Sequence, residues 1–164
     1  METRQIKEEI ISHAKSLGFD LVGFSPAKIN SRYLKAFDSW LKNNYEADMA
    51  YMRKIDQRRD LTKILPGAKS VIVLGTNYYR PQAPLKTDHG RIARYAYGRD
   101  YHKFIAKRLK ELEKFIQQIS VAMTRSYVDT GPVLERALAE QAGLGRIGKN
   151  SCLITKDIGS WVFL

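Results

Sequence analysis

Apolar residues recur at helix and strand spacings along the chain, and the pattern is clearest near the N-terminus. Residues 3–17 place Ile6 and Ile10 on one apolar face, and Gly18 follows as a stop signal, which together predict a helix. The next run, DLVGFS at residues 20–25, predicts a short strand.

The same two periods continue through the next third of the chain. The amphipathic segment 31–42 predicts a second helix, and residues 47–54 predict a short third helix with Met49 and Met52 as core residues. The β-branched run VIVLGT at 71–76 predicts a buried strand.

A long polar segment, residues 77–91, interrupts this pattern and predicts a binding loop. Residues 92–97 predict a further strand. Asp100 is placed to cap the helix that follows, whose apolar periodicity extends to about Ser120.

The C-terminal part combines short strands with turn signals. Residues 125–128 predict a strand, and a helix over 132–142 follows, with a proline at its first position. A glycine-rich loop is predicted at 143–148. Residues 151–155 and 160–164 predict a hairpin.

Helices and strands alternate over the whole length, which predicts one layered α/β domain of the α+β type over residues 1–164, with a mixed sheet flanked by helices. The length of 164 residues suits a single core. No apolar run approaches the roughly 20 residues that span a bilayer, and no signal-peptide core is present, so we expect a cytoplasmic protein without membrane contact.

The charge balance favours a polyanionic partner. Lys and Arg total 28 against 17 Asp and Glu, a net charge of +11. Such an excess suits nucleic acid or a phosphorylated ligand, although a basic protein with no such partner remains an alternative.

Cysteine and histidine usage argues against a metal site within this chain. The single cysteine, Cys152, cannot form an internal disulfide or hold an iron–sulfur cluster, and its apolar neighbours predict a buried position. His13, His89 and His102 have no zinc-ligand spacing.

The loop GLGRIG at 143–148 matches the dinucleotide fingerprint by letters only. The fingerprint must follow a strand and open a helix, whereas here a helix precedes and a strand follows, which excludes a Rossmann site. The loop instead predicts a helix stop and bare backbone beside a flat or phosphorylated ligand, with Lys149 and Asn150 as donors; a plain turn is the alternative.

Asp129 follows a predicted strand and precedes a predicted helix, which suits either a helix cap or a catalytic acid. Residues 95–102 combine three tyrosines with Arg99 and His102, and predict a binding surface. The cobalt-ligating pattern D-x-H-x-x-G starts at Asp100 but fails, because Ile105 stands at the glycine position.

Six segments taken together resemble the epoxyqueuosine reductase family, in the order that the family has them. They are RRD at 58–60, LPGAKSVI at 65–72, RYAYGRDYHK at 94–103, YVDTGPVLER at 127–136, AGLGRIGKN at 142–150 and GSWVFL at 159–164.

The resemblance implies a nitroreductase-like domain that binds cobalamin. It also implies an oxidoreductase that converts epoxyqueuosine to queuosine in the anticodon loop of tRNA. Two [4Fe–4S] clusters in a C-terminal ferredoxin-like domain supply electrons in the family.

The resemblance also assigns roles to individual residues. Asp129 matches the proton donor, which must be protonated when it acts and is therefore expected to be buried against the corrin. Five residues match positions near the cobalamin: Arg58, Tyr97, Asn150, Leu153 and Leu164.

The sequence departs from the family at its end, because no cluster cysteines follow the strand that closes at Leu164. We therefore expect a fragment, split gene or truncated frame, inactive alone, with a separate iron–sulfur chain or other electron donor, an exposed sheet edge and a monomeric state. Two other functions remain open: a non-catalytic basic RNA-binding module, and a small flavin-dependent protein of the nitroreductase type.

Overall fold

A computed structural model describes residues 3–81 and 90–164 of the chain. Its helices are α1 (Thr3–Ser16), α2 (Ser31–Lys42), α3 (Ile55–Arg59), α4 (Tyr101–Ile119) and α5 (Glu135–Gln141). Its strands are β1 (Leu21–Pro26), β2 (Ser70–Asn77), β3 (Arg146–Ile147), β4 (Leu153–Ile154) and β5 (Val162–Phe163). No helix in these ranges is long and apolar enough to cross a membrane.

The main sheet has the order β1-β2-β5, and its two pairings are antiparallel. Strand β1 pairs along β2, from Leu21 opposite Gly75 to Pro26 opposite Ser70. Strand β5 covers only one end of the other edge, where Phe163 lies opposite Thr76. The rest of that edge borders an apolar cavity of about 580 Å³.

Strand β2 separates two hydrophobic cores, because its side chains alternate between the two faces of the sheet. Leu74 packs with Ile10 of α1 and Leu112 of α4 on one face. Val73 packs with Leu138 of α5 on the other face. The α+β class is therefore confirmed, although every strand pair in the described residues is antiparallel, where a mixed sheet was expected.

The strongly periodic elements are confirmed. Helices α1 and α2 and strands β1 and β2 form where the apolar pattern places them. Asp100 caps α4 as predicted, since its Oδ1 accepts the backbone N–H of His102 at 3.0 Å. Most of the polar segment 77–91, including His89, lies outside the described residues.

Two weaker predictions in the middle of the chain are wrong. Residues 47–54 contain only a 3₁₀ turn at Ala50–Arg53, and Met49 is exposed rather than part of the core. Residues 92–97 contain a 3₁₀ turn at Arg94–Ala96 instead of a strand. The aromatic side chains there stay exposed, so no buried face holds the segment against a neighbouring strand.

The predicted C-terminal hairpin is also wrong. Strand β4 pairs with β3, which lies inside the predicted loop 143–148, whereas β5 leaves to pair with β2. Two glycines of that loop allow close packing against β4, because a Cβ at Gly145 would lie 2.4 Å from the carbonyl oxygen of Ile154 and one at Gly148 would lie 2.6 Å from the Ile154 side chain. Cys152, predicted to be buried, is exposed.

Candidate active site around the Asp129 turn

Asp129 lies at the centre of a tight γ-turn between α4 and α5. The backbone N–H of Thr130 donates to the carbonyl of Val128 at 2.6 Å, and Asp129 has a φ of 55°. Positive φ is unfavourable for a residue with a Cβ, and turns of this kind store strain that is often found at functional sites. Residues 125–128, which lead into this turn, pair with no strand among the described residues, so the predicted strand there is wrong.

Asp129 does not cap the helix that follows. Helix α5 begins at Glu135, three positions later than predicted, and its N-cap residue Leu134 makes no side-chain cap. Of the two roles that the sequence leaves open for Asp129, the cap is therefore excluded. Its carboxylate is held by residues from another helix instead.

The start of α4 supplies those residues. The Tyr101 hydroxyl donates a hydrogen bond to Oδ2 of Asp129, and His102 Nε2 lies 3.5 Å from the same oxygen. The other ring nitrogen of His102 contacts Asp100 Oδ1 at 2.8 Å. Burial, followed by the bond to Asp129, raises the pKa of Tyr101, so the hydroxyl keeps its proton and acts as a donor.

The Asp129 side chain is nevertheless 43% exposed. The expected burial is therefore not supplied by this chain alone. One oxygen is engaged by Tyr101, and the carboxylate remains accessible to a ligand from the solvent side.

An aromatic contact fixes Tyr101 in place. Its ring stacks on Phe163 of β5 with the centroids 3.9 Å apart and an interplanar angle of 8°. Because Phe163 also pairs with Thr76 of β2, the sheet edge supports the group that holds Asp129.

Glu135 forms the inner side of the site, a residue to which the sequence assigns no role. Burial raises its pKa to about 7, and the nearby Asp129 charge adds to the shift. The pKa of Glu135 is lowered in part by the backbone N–H of Asp129 and by the positive charges of Arg136 and Arg58. The sequence offered one indication of this role, an acidic residue with apolar neighbours in the first turn of a helix. Many helices share that feature, so it does not identify a site residue by itself.

Arg58 lies close enough to Glu135 to act on its charge, and the protein buries it to 6% exposure. Its Nη1 donates to the carbonyl of Lys54 at 3.2 Å, whereas the buried Nε has no hydrogen-bond partner among residues 3–81 and 90–164. A buried guanidinium N–H without an acceptor is costly, which makes Arg58 a candidate for binding a polar ligand group.

Asn150 is joined to the same region through α5. Its Oδ1 accepts the N–H of Cys152 at 3.1 Å, which forms a turn with Ser151 at a φ of 62°. Arg136 donates to the carbonyl of Ser151, so the turn is attached beside Glu135.

The remaining three predicted site residues are more dispersed. Leu153 is buried in the core with Leu138, and Leu164 packs against the same cluster. Leu164 also lines the apolar cavity that Glu135 borders. Tyr97 is exposed on the segment before α4.

The chain is similar to known epoxyqueuosine reductases. A family model described as epoxyqueuosine reductase QueG, DUF1730, matches residues 58–130. An epoxyqueuosine reductase of Gloeobacter violaceus is 45% identical over 158 residues, covering 95% of this chain and 49% of that protein. One from Synechocystis sp. is 47% identical over 137 residues, covering 82% of this chain and 47% of that protein.

Solved structures show the same similarity. An epoxyqueuosine reductase with an epoxyqueuosine-modified tRNA-Tyr stem loop has a TM-score of 0.87 at 32% identity, covering 99% of this chain and 44% of that one. The enzyme from Bacillus subtilis, whose catalytic aspartate loop is swung out of the active site, has a TM-score of 0.81 at 29% identity, again over 99% and 44%. The chain thus spans about half the length of the relatives that it matches.

Proposed function

The chain belongs to the epoxyqueuosine reductase family, and on this basis we propose that it is the cobalamin-binding part of an enzyme that reduces epoxyqueuosine to queuosine in the anticodon loop of tRNA. The observation that carries the proposal is the strained Asp129 turn. It presents an accessible carboxylate that Tyr101 orients through one oxygen.

The reaction needs two electrons and two protons, because an epoxide becomes an alkene and its oxygen leaves as water. When bound, cobalamin supplies the electrons. A positioned acid lowers the barrier by protonating the oxygen as the ring opens. Asp129 is the acid at the exposed side of the turn, and Glu135, with a pKa of about 7, is a second acid directly behind it.

Tyr101 and Glu135 hold different parts of the Asp129 turn. Tyr101 engages Oδ2 of Asp129, which leaves Oδ1 as the oxygen that carries the proton toward the substrate. Glu135 lies beside the backbone N–H of Asp129, which lowers the pKa of its carboxyl. In the Bacillus subtilis enzyme the catalytic aspartate loop is swung out of the active site. We take the Asp129 turn as the corresponding loop, with Tyr101 and Glu135 as the contacts that break when it moves.

The residues of this chain fit a corrin, which carries amide groups around an apolar ring. The Nε of Arg58, which has no acceptor within the described part of the chain, is a buried donor for an amide carbonyl, and the Asn150 amide adds a further polar group. Leu164 supplies aliphatic surface, whereas Leu153 supports the floor of the site from the core.

A cobalamin titration of the purified chain tests this proposal. We expect the cobalamin absorption spectrum to shift on binding, and Arg58→Gln to weaken the affinity about tenfold, since a hydrogen bond from a charged group contributes roughly 1.5–3 kcal/mol. The matched control is Arg59→Gln, because Arg59 is exposed and pairs with Asp38 at 2.5 Å.

Equal affinities of the two variants would contradict the assignment of Arg58. A stable yellow complex with flavin mononucleotide, without a cobalamin shift, would favour the flavin-dependent alternative. We further propose that the protein is a cytoplasmic monomer. We also propose that it receives electrons from two [4Fe–4S] clusters of a ferredoxin-like domain or a separate chain, because the described residues include one cysteine, which cannot hold a cluster alone.

A further inference from the structure

An exposed cluster of rings and charge lies beyond the end of β2, away from the residues assigned above. We call Tyr79, Arg94, Tyr95 and Trp161 the aromatic–arginine patch. Tyr79, Tyr95 and Trp161 are 46%, 55% and 37% exposed. Large aromatic side chains that remain in contact with solvent side by side commonly mark a binding surface.

The patch has a layered geometry. The Arg94 guanidinium lies 4.8 Å from the Tyr79 ring centroid and 4.9 Å from that of Trp161. The two rings are 5.3 Å apart at an interplanar angle of 59°. Beside them lies a recess of about 370 Å³, to which Arg91 and Tyr95 also contribute. The solvent-exposed parts of these rings remain available to a planar ligand.

The backbone holds these rings in place before any ligand arrives. The N–H of Tyr78 donates to the carbonyl of Trp161 at 3.0 Å, which extends the pairing of β2 with β5. The N–H of Tyr79 donates to Asn77 Oδ1 at 2.8 Å. A preformed surface loses little entropy when it binds.

A continuous series of ring contacts connects the patch with the proposed proton donor. The Trp161 and Tyr78 ring centroids are 5.8 Å apart, and those of Tyr78 and Phe163 are 4.6 Å apart. Phe163 in turn stacks on Tyr101, whose hydroxyl holds Asp129. Three successive ring contacts thus join the patch to the Tyr101–Asp129 pair.

From this arrangement we propose that the aromatic–arginine patch binds unpaired bases of the RNA loop that flank the nucleotide at Asp129. Single-stranded bases stack on aromatic rings and arginine planes, and this mode tolerates any base. Arg91 beside the patch and the net charge of +11 suit the phosphates. The inference rests on the proposed function for its choice of RNA.

Fluorescence anisotropy with the 164-residue chain tests the patch. The probe is a labelled RNA stem-loop with an unpaired loop, and the comparison is a fully paired duplex of the same length. We expect the stem-loop to bind more tightly than the duplex. Tyr79→Leu and Arg94→Gln should each weaken stem-loop binding about tenfold, since stacking contributes roughly 1–3 kcal/mol per base.

Two further variants separate stacking from charge. Arg4→Gln removes the same charge from an exposed position on α1 and should change the affinity by less than about twofold, because surface charges act weakly at physiological salt. Arg94→Lys keeps the charge but loses the planar group, so it should bind nearly as weakly as Arg94→Gln. Circular dichroism confirms that each variant is folded.

Three results would overturn the proposal: equal affinity for duplex and stem-loop, equal effects of Arg94→Gln and Arg4→Gln, or displacement of the RNA by poly-glutamate at equal charge concentration. The outcome is separable from the proposed chemistry. The affinity measurement needs neither cobalamin nor epoxide reduction, so a loss of the proposed chemistry would leave its result unchanged.

Discussion

Replacing Asp129 with Asn is expected to lower the rate of epoxide reduction about 10²- to 10⁴-fold, the usual contribution of a general acid. The amide keeps the shape of the side chain, and its carbonyl oxygen can still accept the hydrogen bond from the Tyr101 hydroxyl. It cannot give up a proton to the epoxide oxygen. The loss should therefore fall on the chemical step and leave binding of the tRNA intact.

The measurement needs an electron supply, so the chain is joined to the remaining part of the Gloeobacter violaceus relative, which is 45% identical to it. Epoxyqueuosine-containing tRNA is incubated with the reconstituted protein and a chemical reductant, and the released nucleosides are quantified by mass spectrometry. Asp48→Asn, at an exposed acid outside the site, is the matched control. An Asp129→Asn protein that forms queuosine at the control rate would show that another group donates the proton.

The second large effect concerns stability and comes from Glu135. Its pKa in the folded chain is raised from 4.5 to about 7, first by burial and then by Asp129. The folded state thus holds this proton more tightly than the unfolded state. The contribution of Glu135 to the free energy of unfolding should therefore be largest below pH 4.5. This contribution should decrease as the pH rises toward 7.

The size of the decrease follows from the shift, since each pKa unit corresponds to about 1.4 kcal/mol. Glu135 alone should contribute a loss of up to about 3 kcal/mol between pH 4.5 and 7, and no further change above that. Glu135→Gln removes the titrating proton and should remove this slope. Asp129→Asn should reduce it, because the charge of Asp129 is the second cause of the shift.

Urea unfolding of the chain at several pH values from 4.5 to 8.5 gives the free energies. The difference between the original chain and Glu135→Gln isolates the titration of this one group from that of the other acids. Glu111→Gln serves as control, because Glu111 is exposed on α4 and pairs with Lys114 at 3.3 Å. Parallel pH profiles for the original chain and Glu135→Gln would contradict the shift.

The sequence predicted best those elements that have strong local patterns. Helix α2 forms over the predicted residues because its apolar period and its Asn30 cap agree. The strand prediction at 125–128 is wrong because this run has no partner strand among the described residues, and a strand needs a neighbour to pair with. The hairpin prediction paired β5 with β4, whereas β5 pairs with β2. Local sequence could not predict this, since packing between distant parts of the chain determines which strands pair.

The candidate site was predictable only in part. The motif around residue 129 marked the turn, yet nothing local indicated that Tyr101 and Glu135 would hold it from two different helices. Leu153, assigned to the cofactor surface, is a core residue, because alternate positions of β4 face inward. Local periodicity indicates which side chains are buried. Which residues lie beside a buried side chain depends on how the whole chain folds.

The stacking of Tyr101 on Phe163 also has a kinetic consequence. Phe163 is brought to Tyr101 by the pairing of β5 with β2, a contact between parts of the chain that are far apart in sequence. Contacts of that kind generally form late in folding, because the entropy of closing a long loop opposes them. We therefore expect the support of Asp129 to be among the later contacts to form, so that a chain with α1, β1, β2 and α4 already packed would still lack an oriented acid.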